Sequence, residues 1–416
     1  MKNAGWMEKI EAWPRAAMLG GIIALAFALR LLLLMAMPQL GDPDGMDTAN
    51  YLHLTRSLLE SGSFAMWAKP TAYVAPVYPL FLAGVFKIFG ENLFVVKLVH
   101  VVLGAASVAL VYFIAARFAR PFVALLTALI IAVHPEIIGI TGFIYTETLF
   151  IFLLLATLLL FLQAIATKKA FHFVCAGALL GLTTLCRGVT LQWPLFMLAV
   201  IMLSSQRWLW FRRWTFVVAG MAVMMAPWTL RNYRQFQAFL PVATGSGDVF
   251  WTGNYLEFDG EYRYEQTQKK LFAVAGDVDL ITRDRKLMAD AKRMILEEPL
   301  AHAWLFGRKI FRYWLRVYED VPHGEARQRN WLVFGVLAMT HYSILLFALI
   351  GLRRCNWRHE GVKMLLAFIC YYTLVHAATL AVARYRIPLL PLLSIAAASG
   401  AAGILQKFSP GEARHD

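Results

Sequence analysis

Charge is scarce in this chain: 16% of its 416 residues are Asp, Glu, Lys or Arg, against 59% hydrophobic residues. A soluble domain carries a much larger charged share, so a soluble globular protein is excluded. Strict polar–apolar alternation over segments of ~10 residues is lacking as well, which excludes a membrane β-barrel. There are four cysteines, Cys175, Cys186, Cys355 and Cys370. None falls in a stretch read as lying outside the membrane, and none shows metal-ligand spacing, which argues against a disulfide framework. The Gly-rich stretch Thr244-Gly245-Ser246-Gly247 has no Walker lysine and no preceding strand, so it is a poor phosphate cradle. It reads instead as a flexible loop, with Trp251 beyond it available to stack on a sugar. An inverted repeat of the transporter kind is absent. No small-residue cleavage site follows the first apolar run past Pro38, and that run is read as a retained helix.

What the chain does have is a succession of apolar runs, each able to cross ~30 Å of hydrocarbon as a helix. The expectation is an all-α polytopic membrane protein with about ten transmembrane helices, near 17–37, 93–116, 121–135, 146–166, 170–186, 188–204, 214–229, 330–351, 362–382 and 387–405. The net charge of +14 invites a nucleic-acid reading. The basic residues, however, sit in short loops between apolar runs, at Arg117 and Arg120, Lys168 and Lys169, Arg207, Arg212 and Arg213, and Arg353, Arg354 and Arg358. That is the pattern that sets orientation in a membrane. It places both termini in the cytoplasm, the chain in a bacterial inner (plasma) membrane, and membrane lipids rather than nucleic acid around it.

Three parts are expected. An N-terminal transmembrane module, 1–230, includes a first outer loop, 38–92, with a short amphipathic stretch near 47–60 and an apolar one near 78–89, both too short to span. Residues 231–328 hold more than half of the acidic residues and form an outer, extracytoplasmic domain, with amphipathic helices near 280–297 and 299–318. Transmembrane helices follow in 329–416.

Two carboxylates mark the outer membrane boundary. Asp47 starts Asp47-Thr48-Ala49-Asn50-Tyr51, and Glu147 ends Tyr145-Thr146-Glu147 before an unbroken apolar run. Either could merely cap a helix N-terminus. Facing one cavity, they could instead serve a glycosyl transfer, one taking a proton from the acceptor and the other holding sugar or acceptor. Asp42, Asp44 and Glu136 are weaker candidates. Arg187, Arg384 and Arg386 also sit at outer helix ends, on the wrong side for orientation. Snorkelling to headgroups explains such arginines, and so does a lipid phosphate. Lys69 in the outer loop is a further phosphate candidate.

Several stretches, in order, resemble the GT-C membrane glycosyltransferases, of the protein O-mannosyltransferase and lipid A aminoarabinose transferase type (glycosyltransferase family 39). They are Asp47-x-x-x-Tyr51, Pro76-x-Tyr78-Pro79-Leu80-Phe81, Tyr145-Thr146-Glu147, Pro227-Trp228-x-x-Arg231-Asn232, Gly253-Asn254 and Arg384-Tyr385-Arg386-Ile387-Pro388. The resemblance implies a sugar donor on a polyprenyl phosphate, an active site on the outer face and inversion at the anomeric carbon. It places Asp47 as the first-loop acid and Glu147 as the second. Tyr78, Arg231 and Asn232, inside these motifs, join Lys69, Arg187, Arg384 and Arg386 as donor-phosphate or substrate-binding candidates. Thr48 stands where the family often has a second acid, which speaks against a paired carboxylate or a metal site there.

The expected activity is therefore a hexosyl- or pentosyltransferase acting on an envelope glycan, lipid or protein, with Asp47 as base. No motif requires a cofactor, although a divalent metal could assist. A transporter or flippase for a lipid-linked or small solute, or a scaffold of an envelope complex, is the alternative.

Overall fold

The computed structural model describes residues 14–41, 46–67, 69–203, 206–317, 331–356 and 358–407. In chain order the elements are α1 (Arg15–Ala36), α2 (Met46–Ser61), β1 (Ala65–Met66), β2 (Lys69–Pro70), α3 (Val77–Phe89), α4 (Leu93–Ala115), α5 (Pro121–Val133) and α6 (Pro135–Gly139). Then come α7 (Glu147–Thr167), α8 (Ala170–Cys186), α9 (Trp193–Met202), α10 (Arg207–Phe236), α11 (Ser246–Asn254), α12 (Tyr264–Ala275) and α13 (Leu280–Glu297). The last are α14 (Pro299–Leu315), α15 (Trp331–Leu352), α16 (Glu360–Ala378) and α17 (Leu390–Lys407). The two short strands pair as an antiparallel ladder, Ala65 opposite Pro70.

The chain is an all-α polytopic membrane protein, and each of the ten stretches expected to span contains a helix. Among the described residues, six helices are long and apolar enough to cross a membrane, and a seventh results if α5 and Pro135–Gly142, bent by 55°, count as one span. The rest of the expected ten are the shorter apolar helices α8 and Gly188–Met202 and the 30-residue α10. The last of these continues through Pro227 to Phe236, so the boundary drawn at 231 falls inside a helix.

The bend at α5 has a chemical cause. Pro135 has no N–H to give to the carbonyl four residues back, Ile131. Arg30, wholly buried in the middle of α1, supplies the missing donor: Nη2 donates to Ile131 O at 3.3 Å and Nη1 to Ala132 O at 3.1 Å. A cation at a helix C-terminus also meets the negative end of its dipole.

Small residues bring other helices together, as is usual where lipid replaces water. A Cβ at Gly177 of α8 would land on the Val217 carbonyl of α10, and one at Gly220 on the Val174 carbonyl. Gly351 and Gly400 do the same between α15 and α17. The charged segment has its own small core of Trp251, Leu271, Ala275, Leu287 and Ala291.

Candidate functional site

Four helix ends meet on one side of the bundle. Asp47 lies in the first turn of α2 and Glu147 is the first residue of α7. Each carboxylate thus sits at the positive end of a helix dipole. Arg187 follows the last residue of α8 in extended backbone, where a cation is favoured for the converse reason. Arg384 is carried by the 3-10 turn Ala383–Leu389 that leads into α17.

These four side chains form one alternating chain of charge. Arg384 Nη2 lies 2.9 Å from Asp47 Oδ2, and its Nε lies 3.2 Å from Glu147 Oε1. Arg187 Nη1 lies 2.7 Å from the same Glu147 oxygen. Both guanidiniums lie over aromatic rings: Arg384 stands 4.5 Å from the Tyr145 ring centroid and Arg187 4.7 Å from that of Tyr385. Two cations and two anions leave the cluster formally neutral.

Exposure grades along this chain and separates the roles. The side chain of Glu147 is 1% exposed, Arg187 15%, Arg384 30% and Asp47 50%. Glu147 is sealed and ion-paired through one oxygen with two guanidiniums, so it is poorly placed to collect a proton from solvent. Asp47 is open, holds Arg384 by Oδ2, and has Oδ1 free of any partner among the described residues. Behind it lies the buried hydroxyl of Tyr51, pushed well above its usual range by burial and then by Asp47 and Glu147. The Tyr51 ring meets Tyr78 edge-on at 4.9 Å.

The other candidates stand apart from this cluster. Tyr78 is fully buried, with its hydroxyl 3.4 Å from His100 Nε2. Arg386 is also fully buried: it pairs with Glu136 at 3.3 Å and donates to the carbonyls of Tyr313 and Arg316. Arg231 clamps the first loop, donating to Thr71 O at 2.8 Å and Phe64 O at 2.9 Å. Asn232 is buried and donates to Leu240 O. Lys69 is exposed on β2 with no ion pair among the described residues. Asp42 and Asp44 lie outside the described residues.

Two sequence expectations change. Trp251, expected to be available to a sugar, is 1% exposed and donates to Asp290 Oδ2 at 2.8 Å, because it is the core of the charged segment. The Gly245–Gly247 loop does bind an anion, but it is the chain's own: the amides of Gly245 and Gly247 donate to Asp284 Oδ1 at 2.9 and 2.6 Å. Sequence reasoning also passed over Tyr372 and His376 of α16. Both are buried, and the His376 ring centroid lies 4.7 Å from that of Tyr372 and 4.9 Å from that of Tyr385, with the rings tilted. Their signal was two polar residues four apart on one face of an apolar helix. Among the described residues, no three His, Cys, Asp or Glu side chains gather to hold a metal.

Residues 70–230 match the family model described as dolichyl-phosphate-mannose-protein mannosyltransferase. Glu147 and Arg187 fall inside that stretch; Asp47 and Arg384 reach it from outside. In three dimensions the chain is similar to the oligosaccharyltransferase AglB of Archaeoglobus fulgidus, solved with an inhibitory peptide and a dolichol-phosphate. The TM-score is 0.60 at 14% identity, over 94% of this chain and 50% of that one. The apo form of the A. fulgidus enzyme gives 0.58 at 15% identity, over 95% and 51%. ArnT of Cupriavidus metallidurans, bound to undecaprenyl phosphate, gives 0.46 at 16% identity, over 92% and 78%. This chain therefore spans about half the length of the oligosaccharyltransferase chains. No curated protein matches it by sequence.

Proposed function

We propose that this chain, whose fold is that of the GT-C membrane glycosyltransferases, moves a hexose or pentose from a polyprenyl-phosphate donor to an envelope glycan, lipid or protein at the outer face of a bacterial plasma membrane. The observation that carries the reading is the bridging of Asp47 and Glu147 by Arg384. It leaves one open carboxylate beside guanidinium groups already fixed in direction.

In this reading the acceptor oxygen attacks the anomeric carbon of the donor and the bond to the phosphate oxygen breaks, in a single inverting displacement. The acceptor proton passes to Asp47. The polyprenyl phosphate leaves with one more negative charge than it held as a diester, and Arg384 and Arg187 stabilise that charge where water is scarce. The exposed ammonium of Lys69 serves as a mobile third cation. Glu147 acts as a positioning residue: by pulling on both guanidiniums it fixes their planes before substrate arrives, so little reorganisation is needed during reaction. Tyr78, Arg231, Asn232 and Arg386 support the walls of the site.

Mass spectrometry of envelope lipids and glycans tests the proposal, comparing cells without the protein, with it restored, and with Asp47→Asn. Loss of one sugar from an envelope molecule, accumulation of its polyprenyl-phosphate form and no rescue by Asp47→Asn would support it. Full rescue by Asp47→Asn would overturn it.

A further inference from the structure

At the end of the bundle remote from Asp47 and Glu147 lies a cavity of about 490 Å³, walled by Phe161, Phe173, Trp193, Met197 and Met364 among others. Phe161 is fourteen residues along α7 from Glu147, which at 1.5 Å per residue puts that wall ~20 Å from the carboxylate, and none of the four cluster residues lines the cavity. The cavity is therefore separate from that site. It lies beside the end of α9 at Met202 and is lined by residues of α7, α8, α10 and α16. Exposed apolar residues flank it on and just after α9: Leu195, Val200 and Leu203, the last 90% exposed.

The mouth is charged. Arg213 lies there with its guanidinium 4.6 Å from the Trp210 ring centroid and 5.9 Å from that of Phe173. No carboxylate pairs with Arg213 among the described residues. Lys363 and Glu360 also line the mouth and pair with each other at 3.1 Å, so they contribute no net charge. The net charge of the mouth is thus the single unmatched cation of Arg213. Lys168, Lys169, Arg207 and Arg212 border the same end of the helices, the end that positive-inside counting assigns to the cytoplasmic leaflet.

An aromatic cavity of this size, left empty, forfeits dispersion contacts along its walls. In a bilayer the molecule at hand to restore them is a lipid acyl chain. A chain seated among Trp193, Phe161 and Met364 brings its headgroup to the mouth, where a guanidinium matches a phosphate. We infer that this cavity is a binding site for an anionic glycerophospholipid of the inner leaflet, with one acyl chain between α9, α10 and α16 and the phosphate on Arg213. The donor lipid of the proposed reaction has no part in this site, and the inference stands whether or not the transfer reaction does.

Native mass spectrometry of the full-length protein, released from nanodiscs of equimolar phosphatidylglycerol and phosphatidylcholine, tests it. The expected result is at least a tenfold preference for retained phosphatidylglycerol. Arg213→Ala should bring that preference close to one. Ala367→Trp, which fills the cavity, should remove retained lipid of both kinds, with circular dichroism confirming an unchanged helix content. If either variant fails to fold, Arg213→Gln and Ala367→Met take its place. Equal retention of the two lipids by the wild type, or a preference untouched by both substitutions, would overturn the inference. So would displacement of phosphatidylglycerol by stoichiometric undecaprenyl phosphate.

Discussion

Arg384 Nη2 stands 2.9 Å from Asp47 Oδ2 although 337 residues separate them in sequence. Through its Nε the same guanidinium touches Glu147. One side chain therefore joins the first loop, the start of α7 and the approach to α17, and most of the expected phenotypes of the site follow from its position.

Asp47→Asn keeps the size and hydrogen-bonding reach of the side chain and removes its basicity. Transfer should fall ~10²–10⁴-fold, the usual contribution of a positioned base. Donor affinity should change by less than about threefold. The check is single-turnover transfer alongside equilibrium binding of the polyprenyl-phosphate sugar. An equal loss in both would assign Asp47 to binding rather than proton transfer.

Glu147→Gln strands two guanidiniums around a buried neutral amide. Breaking a buried ion pair from one side costs about 3–5 kcal/mol, so the unfolding transition in detergent should drop markedly. Glu147→Gln combined with Arg187→Met should be less destabilised than the sum of the single changes. Additivity in that double-mutant cycle would show that the 2.7 Å contact carries no coupling.

Arg384→Ala and Arg386→Ala should differ in kind. The first removes a partly exposed cation from the cluster and should weaken donor binding by tenfold or more. The second leaves Glu136 buried without its partner and should lower stability, with donor affinity of the folded protein retained. The same loss of affinity in both would mean that the two arginines act together.

Gly220 on α10 lies against the Val174 carbonyl of α8. Gly220→Val should cost about 1–3 kcal/mol or more through overpacking. It should reduce the yield of folded protein before it alters the kinetics of what remains, as size-exclusion profiles would reveal.

Lys309 on α14 donates to Gly253 O at 2.7 Å and Thr379 O at 2.8 Å. Burial, and then the nearby Arg312 cation, push its ammonium down to about 7, whereas an unfolded chain holds that proton to about 10.4. Between these values the unfolded state binds more protons, so stability should rise with pH, by of order 1 kcal/mol per unit. Thermal unfolding from pH 7 to pH 9 should show the rise, and Lys309→Met should flatten it.

The helices were legible because the apolar runs, most of them long, are bounded by charge. The short helices of the first loop were legible because their runs cannot span. Asp47 and Glu147 were legible for a related reason, since a carboxylate at a membrane boundary is conspicuous. The pairing was not legible. Arg384 and Arg386 look equivalent in sequence, yet a 3-10 turn has three residues per revolution, so positions two apart face different directions. One reaches the open cluster and the other the buried Glu136. Trp251 misled for a similar reason: its neighbouring glycines suggest a loop, but those glycines let the backbone close around it.

The distance in sequence between Asp47 and Arg384 also sets an order of assembly. The first loop and α7 are synthesised long before the turn that carries Arg384, and until that turn arrives Asp47 has no cation. Arg187, only forty residues beyond Glu147, can neutralise the buried carboxylate early and keep α7 in place. The final docking of α17, sealed by the Gly351–Gly400 approach, then completes the cluster. The four-residue cluster is thus whole only once the C-terminal helix is in place, and a chain cut short before Arg384 would leave Asp47 without the cation that holds it.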